Sequence, residues 1–444
     1  MKRLTFKYLS IICLTVMTVS CTYEFKADIP SDTNIVIVDG QILAGSSSSI
    51  SIALASRLDG KENTESGGIT ASGYIESEDG SRIQGVPENP YSSDNPYSSW
   101  DDFYPMGGIY YPSNTAKLNF DTSELSTDKK YRLHIDAGDN GSFDSDWITV
   151  YPEPVIDSVS CFKYDGSIAY GQYSGRYVDF RVTAHSDYSP YFSITYDEAW
   201  EYTALQNCYL TYNPDTDQIV EEHWFENPYY RCWKKGATRT IAVSAASHSE
   251  NKIVNAYLLS IDHTDDRVSV LYRLTVNVGS ASKEYQEYWT NLEEISYVDG
   301  DLFTPIPSNM EGNIHRTTGT GPVLGYVGAS KVATKVYWFR ERSFYRMSDV
   351  RNNLLKQFTY FNPNYDDPNY PGDEAIYYCP PATDWNFAYS LGNIPLRKAI
   401  NAKGEIIYGT YVWARRECTD CQYFGGTVDF PGDWPDRDDP NLTK

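Results

Sequence analysis

Apolar positions recur mostly every second residue, the spacing of strands that bury one face. Ile35-Val-Ile-Val38 runs into the turn signal Asp39-Gly40, and Ile50–Ala55 alternates apolar with small residues. Similar runs cover Gly68–Glu76, Ala116–Phe120, Tyr131–Ile135 and Trp147–Val150, with Asp-Gly, Gly-Gly and Asn-Gly pairs between them. Leu125 precedes Tyr131 just ahead of one such strand. That spacing is similar to the tyrosine corner of immunoglobulin-like and fibronectin-type sandwiches, where the phenol closes a turn on nearby backbone. Residues 34–152 are therefore expected to form a sandwich of that kind.

Tyr151-Pro-Glu-Pro154 follows. Two prolines so close cannot join a central ladder, which places a domain boundary there. Residues 153–432 again read mainly as strands, at Tyr177–Ala184, Tyr191–Tyr196, Thr238–Ser244, Ile253–Ile261, Val268–Val278, Val336–Arg340 and Ile406–Trp413. Ser282–Tyr297 breaks the pattern. Tyr285, Tyr288, Trp289, Leu292 and Ile295 there fall on helical spacing, an aromatic stripe read as core contact. The chain is thus predicted to be all-β: an immunoglobulin-like or fibronectin-type β-sandwich, then a larger β-rich domain with one amphipathic helix. Pro87–Pro112 and Phe361–Asp373 mix Asn, Asp, Pro and Tyr without periodicity, as long loops do. Residues 433–444, rich in Asp and Pro, read as a loose acidic tail.

The first residues, MKRLTFKYLSIICLTVMTVSC, change the picture from a fold to an address. A basic start leads into an apolar stretch far shorter than the ~20 residues of a membrane span. This is the layout of a secretory signal. Ser20-Cys21 at its end is similar to a bacterial lipobox, although Thr18 stands where Leu is more usual. Residues 1–20 are expected to be a lipoprotein signal peptide, Cys21 the lipidated residue, and 21–33 a tether. Several acyl chains on one Cys hold a protein firmly at a bilayer, so the membrane is expected to be met through the lipid alone. Loss of Lys2, Arg3 and Lys7 with the signal takes the formal charge from −23 to −26. A surface so acidic excludes nucleic acid as a partner.

Six cysteines lie beyond the anchor: Cys161, Cys208, Cys232, Cys379, Cys418 and Cys421. An even count in an exported chain suggests disulfides, with the pairing open. Cys418-Thr-Asp-Cys421 fits a tight disulfide, half a zinc site or a redox pair. Zinc needs two more thiolates or imidazoles, and the pair follows a strand-like run rather than opening a helix. A structural Cys418–Cys421 disulfide is therefore expected.

Phe303-Thr-Pro305-Ile-Pro307, Gly312-Asn313-Ile314 and Val323-Leu-Gly325-Tyr326-Val-Gly328-Ala329-Ser330 form a recognisable series. With Arg231-Cys232-Trp233, Cys418-x-x-Cys421, Gly425-Gly426-Thr427 and Trp434, it resembles the Bacteroidota lipoprotein family called domain of unknown function 4249 (DUF4249). The Val36–Gly40 strand and Tyr131–Pro154 fit the same pattern. The resemblance implies an outer-membrane lipoprotein encoded beside a TonB-dependent transporter. The family has no established activity, so the resemblance supplies no catalytic residue and no cofactor.

Catalytic signatures are scarce. The sequence has no G-x-S-x-G elbow, H-E-x-x-H or Walker A motif. Its six histidines are scattered singly; His134 alternates with Leu133 and Ile135, so it is expected to face solvent, and His248-Ser-Glu250 and Asp262-His263 read as surface turns. Asp136, Asp139, Asp144 and Asp146 are spaced closely enough for calcium. Gly141 stands where a third ligand is needed, and an Asn-Gly hairpin turn is the simpler reading. No metal or cofactor is expected. Tyr91, Tyr97, Trp100 and Tyr104 in the Pro87–Pro112 loop are the candidate ligand contacts, since aromatic rings stack on sugars and cover peptides. The expected function is a non-catalytic binding or accessory lipoprotein of a TonB-dependent outer-membrane transporter, on the periplasmic or the cell-surface face, with a saccharide or peptide as ligand. The alternatives are a hydrolase of glycan or peptide, for which 60 acids offer many carboxylate pairs, and a structural or adhesive envelope protein.

Overall fold

The computed structural model describes residues 35–54, 69–88, 115–164, 175–208, 210–221, 229–236, 239–247, 250–297, 312–341, 343–346, 377–379, 385–390, 392–400 and 405–435. The fold is all-β, as the periodicity predicts. The first strands are β1 (Val36–Ala44), β2 (Ser47–Leu54), β3 (Ser72–Ser77), β4 (Arg82–Gln84), β5 (Val86–Pro87), β6 (Thr115–Asp121), β7 (Lys130–Asp136), β8 (Ser142–Ser145) and β9 (Ile148–Thr149). Next come β10 (Val155–Tyr164), β11 (Tyr177–His185), β12 (Tyr191–Thr203), β13 (Leu210–Asn213), β14 (Gln218–Glu221), β15 (Arg231–Lys235), β16 (Arg239–Ser244), β17 (Lys252–Asp262) and β18 (Leu271–Ala281). Helix α1 (Lys283–Tyr297) precedes β19 (Ile314–Arg316), β20 (Val323–Leu324) and β21 (Val327–Phe339). A small sheet of β22 (Tyr377–Cys379), β24 (Ile406–Arg415) and β23 (Asn393–Ile400) completes the chain.

One sheet of ten strands runs through both halves, along the path β15-β12-β18-β21-β1-β2-β6-β5. Its β1-β2-β6 part faces the sheet of β19-β8-β7-β3-β4. Val38, Ile42, Ile50, Ile52 and Phe120 pack there against Ile75, Leu133, Ile135 and Phe143. Its β12-β18-β21 part faces β10-β11-β17, with Phe192, Ile194, Val276 and Val278 against Val178, Phe180, Val182 and Ile261. Two sandwiches thus lie side by side on a shared sheet. The join is the parallel pairing of β1 with β21, Gly40 to Val327 through Ala44 to Lys331. Parallel neighbours need a long crossover, and here it includes the whole second sandwich. Tyr151–Pro154 lies between β9 and β10 along the chain, and Tyr151 forms a parallel bridge to Ser330 of β21. In turn β19 and β20, from residues 314–324, complete sheets of the first sandwich.

The tyrosine corner is present. Ser126 N–H donates to the Tyr131 hydroxyl at 2.9 Å, and the ring is buried. Tyr131→Phe should cost about 1 kcal/mol, the net worth of one such bond, read as a lower urea midpoint with an unchanged slope. The Asn-Gly turn is also where the sequence places it: Gly138–Asn140 forms a 3₁₀ turn joining β7 to β8. Asp136 Oδ1 accepts from Gly138 N–H there, and no metal-binding trio occurs among the described residues. His134 faces outward from β7, but it is half-covered. Its ring stacks on Tyr74 at 4.7 Å, and Nδ1 lies 2.5 Å from Asp144 Oδ1.

Two expectations are corrected. Cys421 bonds to Cys232, not to Cys418. The reason is the chain's path. A short helix, Arg416–Thr419, turns the Cys418 thiol into an apolar cluster with Cys208, Leu396 and Ala414. Cys421 lies against β15, where its N–H donates to Tyr229 O and its carbonyl accepts from the Tyr202 hydroxyl. The tail is also fastened at its start. Asp433 pairs with Arg273, and Trp434 is buried edge-on against Trp338, its Nε1 donating to Glu201. An indole with a buried carboxylate to bond has every reason to stay.

Candidate functional site

A cleft of about 320 Å³ opens where the two sandwiches and α1 meet. Five stretches far apart in sequence line it: Gln41 of β1, residues 146–151, residues 280–285, Asn313, and residues 326–329. The join of β1 and β21 brings them together, because it sets Gln41 beside Gly328.

The floor is a hydrogen-bonded relay. Gln41 Nε2 donates to Ser330 Oγ at 3.3 Å, and its Oε1 accepts from Ser193 Oγ at 3.2 Å. Ser193 Oγ lies 2.9 Å from the Tyr285 hydroxyl. Ser193, Ser330 and Tyr285 are buried, so these bonds replace water they have lost. Ser282 caps α1, accepting from Tyr285 N–H at 3.1 Å, and its hydroxyl lies 3.2 Å from the Tyr326 hydroxyl. Ser280 is held by Ser186 at 2.8 Å.

Aromatic rings form one wall. Tyr326 meets Tyr285 edge-to-face at 5.6 Å, and the tilted ring of Tyr288 lies 5.7 Å from it. The stripe on α1 is core contact for Tyr288, as its spacing predicts, while Tyr285 also borders the cleft. Tyr151 and Trp147, in the segment that leaves the first sandwich, also line the cleft. Tyr151 is pinned by its backbone, whose N–H donates to Ala329 O and whose carbonyl accepts from Lys331 N–H. Asn313 replaces a strand neighbour, bonding Val327 N–H and C=O at 2.8 Å each.

Two carboxylates, Asp146 and Glu284, complete the lining, which includes no Lys, Arg, His or Cys. His315 Nε2 lies 2.9 Å from Asp146 Oδ1 at the rim. Burial, and then the Glu284 charge, push the Tyr151 phenol above its ordinary range. Burial likewise raises Tyr326, against the Ser282 bond, and the charges of Glu284 and Asp146 add to it. Both acids therefore act on the same small space.

The candidate contacts Tyr91, Tyr97, Trp100 and Tyr104 lie outside the described residues, as does Cys21. The cleft itself was not expected. Tyr326 and Gly328 sit inside the motif series and Asp146 inside the candidate calcium run, but no local pattern links either to Glu284. Among the described residues, no helix is long and apolar enough to cross a membrane.

No curated protein matches this sequence. Among solved structures, trypsin-activated alpha-2-macroglobulin from Escherichia coli is similar at 9% identity and a TM-score of 0.16. That match covers 57% of this chain and 15% of the other, and it carries no argument about function. The profile of the family described as domain of unknown function (DUF4249) matches residues 22–336, across β1 to β21 and the whole cleft. The chain belongs to the DUF4249 family.

Proposed function

We propose that this protein is an outer-membrane lipoprotein, anchored through Cys21, which holds a ligand in the cleft between its sandwiches and serves a TonB-dependent transporter without turnover. The cleft carries the reading. Its serine hydroxyls are committed to fixed partners, Ser280 to Ser186 and Ser282 to the helix start. Its aromatic wall offers contact area with little side-chain entropy to lose. A lipid anchor raises the effective concentration of a membrane partner, so a weak contact suffices.

The pair Asp146 and Glu284 favours a second reading, a glycan hydrolase, because both carboxylates line one cleft and that chemistry uses a pair. Purification of tagged protein from detergent-solubilised outer membranes separates the two. Wild type is expected to incorporate labelled palmitate and to bring down a transporter, while Cys21→Ala incorporates none. Recovery of no transporter in several detergents, with glycan or peptide hydrolysis that disappears in Glu284→Gln, would establish the hydrolase instead.

A further inference from the structure

The cleft joins acidic groups to aromatic rings, and the balance of charge around it is one-sided. Glu284 has no cationic partner among the described residues. Its neighbour Lys283 pairs with Glu287 at 2.8 Å and feels the Glu284 charge only as a weaker, secondary influence. Asp146 is mostly exposed, and its side chain pairs with His315 among the described residues. Arg132, outside the lining, places its guanidinium 5.0 Å from the Trp147 ring centre. It is neutralised by Glu76 at 2.6 Å and Asp144 at 3.6 Å. A ligand entering the cleft thus meets a lining of two carboxylates and four aromatic rings, with no cationic side chain.

We propose that the cleft binds an organic cation, an ammonium or guanidinium group seated among Tyr151, Tyr326 and Trp147 and neutralised by Glu284 and Asp146. The inference rests on the cleft being a binding site and concerns only what it takes. Aromatic rings attract cations through their negative faces, most strongly where water is displaced. Carboxylates then supply charge-assisted hydrogen bonds, the strongest kind available to an amine or guanidinium. A neutral sugar gains the stacking and forgoes the charge. An anionic ligand is repelled by both acids. A basic peptide side chain and a free polyamine present the same chemistry, and the size of the cleft admits either.

Isothermal titration of the full chain in detergent micelles tests this. The probes are N-acetyl-arginine amide, its neutral isostere N-acetyl-citrulline amide, spermidine, a lysine-containing tripeptide and a neutral oligosaccharide. The arginine amide is expected to bind several-fold more tightly than the citrulline amide, about the share an exposed charge pair contributes. Glu284→Gln should remove most of that preference and keep the melting curve, since Glu284 is exposed. Added salt should weaken the arginine amide and leave the citrulline amide unchanged. Preference for spermidine over the tripeptide, or the reverse, identifies the source of the cation. Equal binding of arginine and citrulline amides, or a neutral oligosaccharide bound more tightly and lost in Tyr326→Ala, overturns the cation while keeping a binding cleft. No binding by any probe, with hydrolysis that needs Glu284, overturns both.

Discussion

Gly325→Ala is expected to lower the unfolding free energy by about 3–5 kcal/mol, the upper part of the range for single substitutions. An added Cβ would stand 1.9 Å from Val38 O, a backbone atom in the centre of the shared sheet. The residue also holds φ at +141°, where side chains are strained. Gly312 meets a like obstacle, since a Cβ there would stand 1.8 Å from Gly325 O, so neither segment has room to yield. Urea denaturation measures the effect. Gly432→Ala is the control: open space surrounds it, and its change should stay within ~0.5 kcal/mol. Equal midpoints for the two variants would refute the crossing as the reason for glycine at 325.

Cys421→Ala is expected to destabilise by nearly as much. The bond to Cys232 closes a sequence separation of 189 residues. In the chain-entropy account such a loop contributes up to about 5 kcal/mol. The observed loss should be smaller, because Thr427 remains paired with Trp233 and Trp434 remains buried. Reductant should lower the melting temperature of wild type towards that of Cys421→Ala and leave the variant unmoved. Cys418→Ala should keep the wild-type response to reductant. If Cys418→Ala loses that response, the bond joins Cys418 to Cys421 after all.

Local patterns made much of the fold legible. Alternation at Ile50–Ala55 and Tyr131–Ile135 marked β2 and β7, and the spacing of Tyr285, Tyr288 and Trp289 marked α1 almost to the residue. Each of those signals is local, a side chain choosing a face within one element. The pairing of β1 with β21 leaves no such trace, since a parallel partner is selected by tertiary packing. For that reason the first sandwich read as self-contained, and the cleft, built from five separated stretches, was invisible. The disulfide failed for a related cause. Proximity in sequence pointed to Cys418, whereas Cys421 reaches β15 only because the chain folds back across the sheet edge. The motif series that carried the family resemblance had its physical reason hidden in the same way. Gly312, Asn313 and Gly325 are what a close crossing beneath β1 requires.

The parallel join also governs when the protein can finish folding. As the chain is made, β1 emerges early and then waits, its β21 edge open, until nearly 290 more residues have followed. Contacts this distant in sequence slow folding and leave strand edges free to pair with the wrong chain. Residues 34–152 released alone would hold Val38 and Ile42 on an edge with nothing beside it. Holding the young chain apart from its neighbours until β21 arrives is therefore a demand that this topology places on the compartment where it matures.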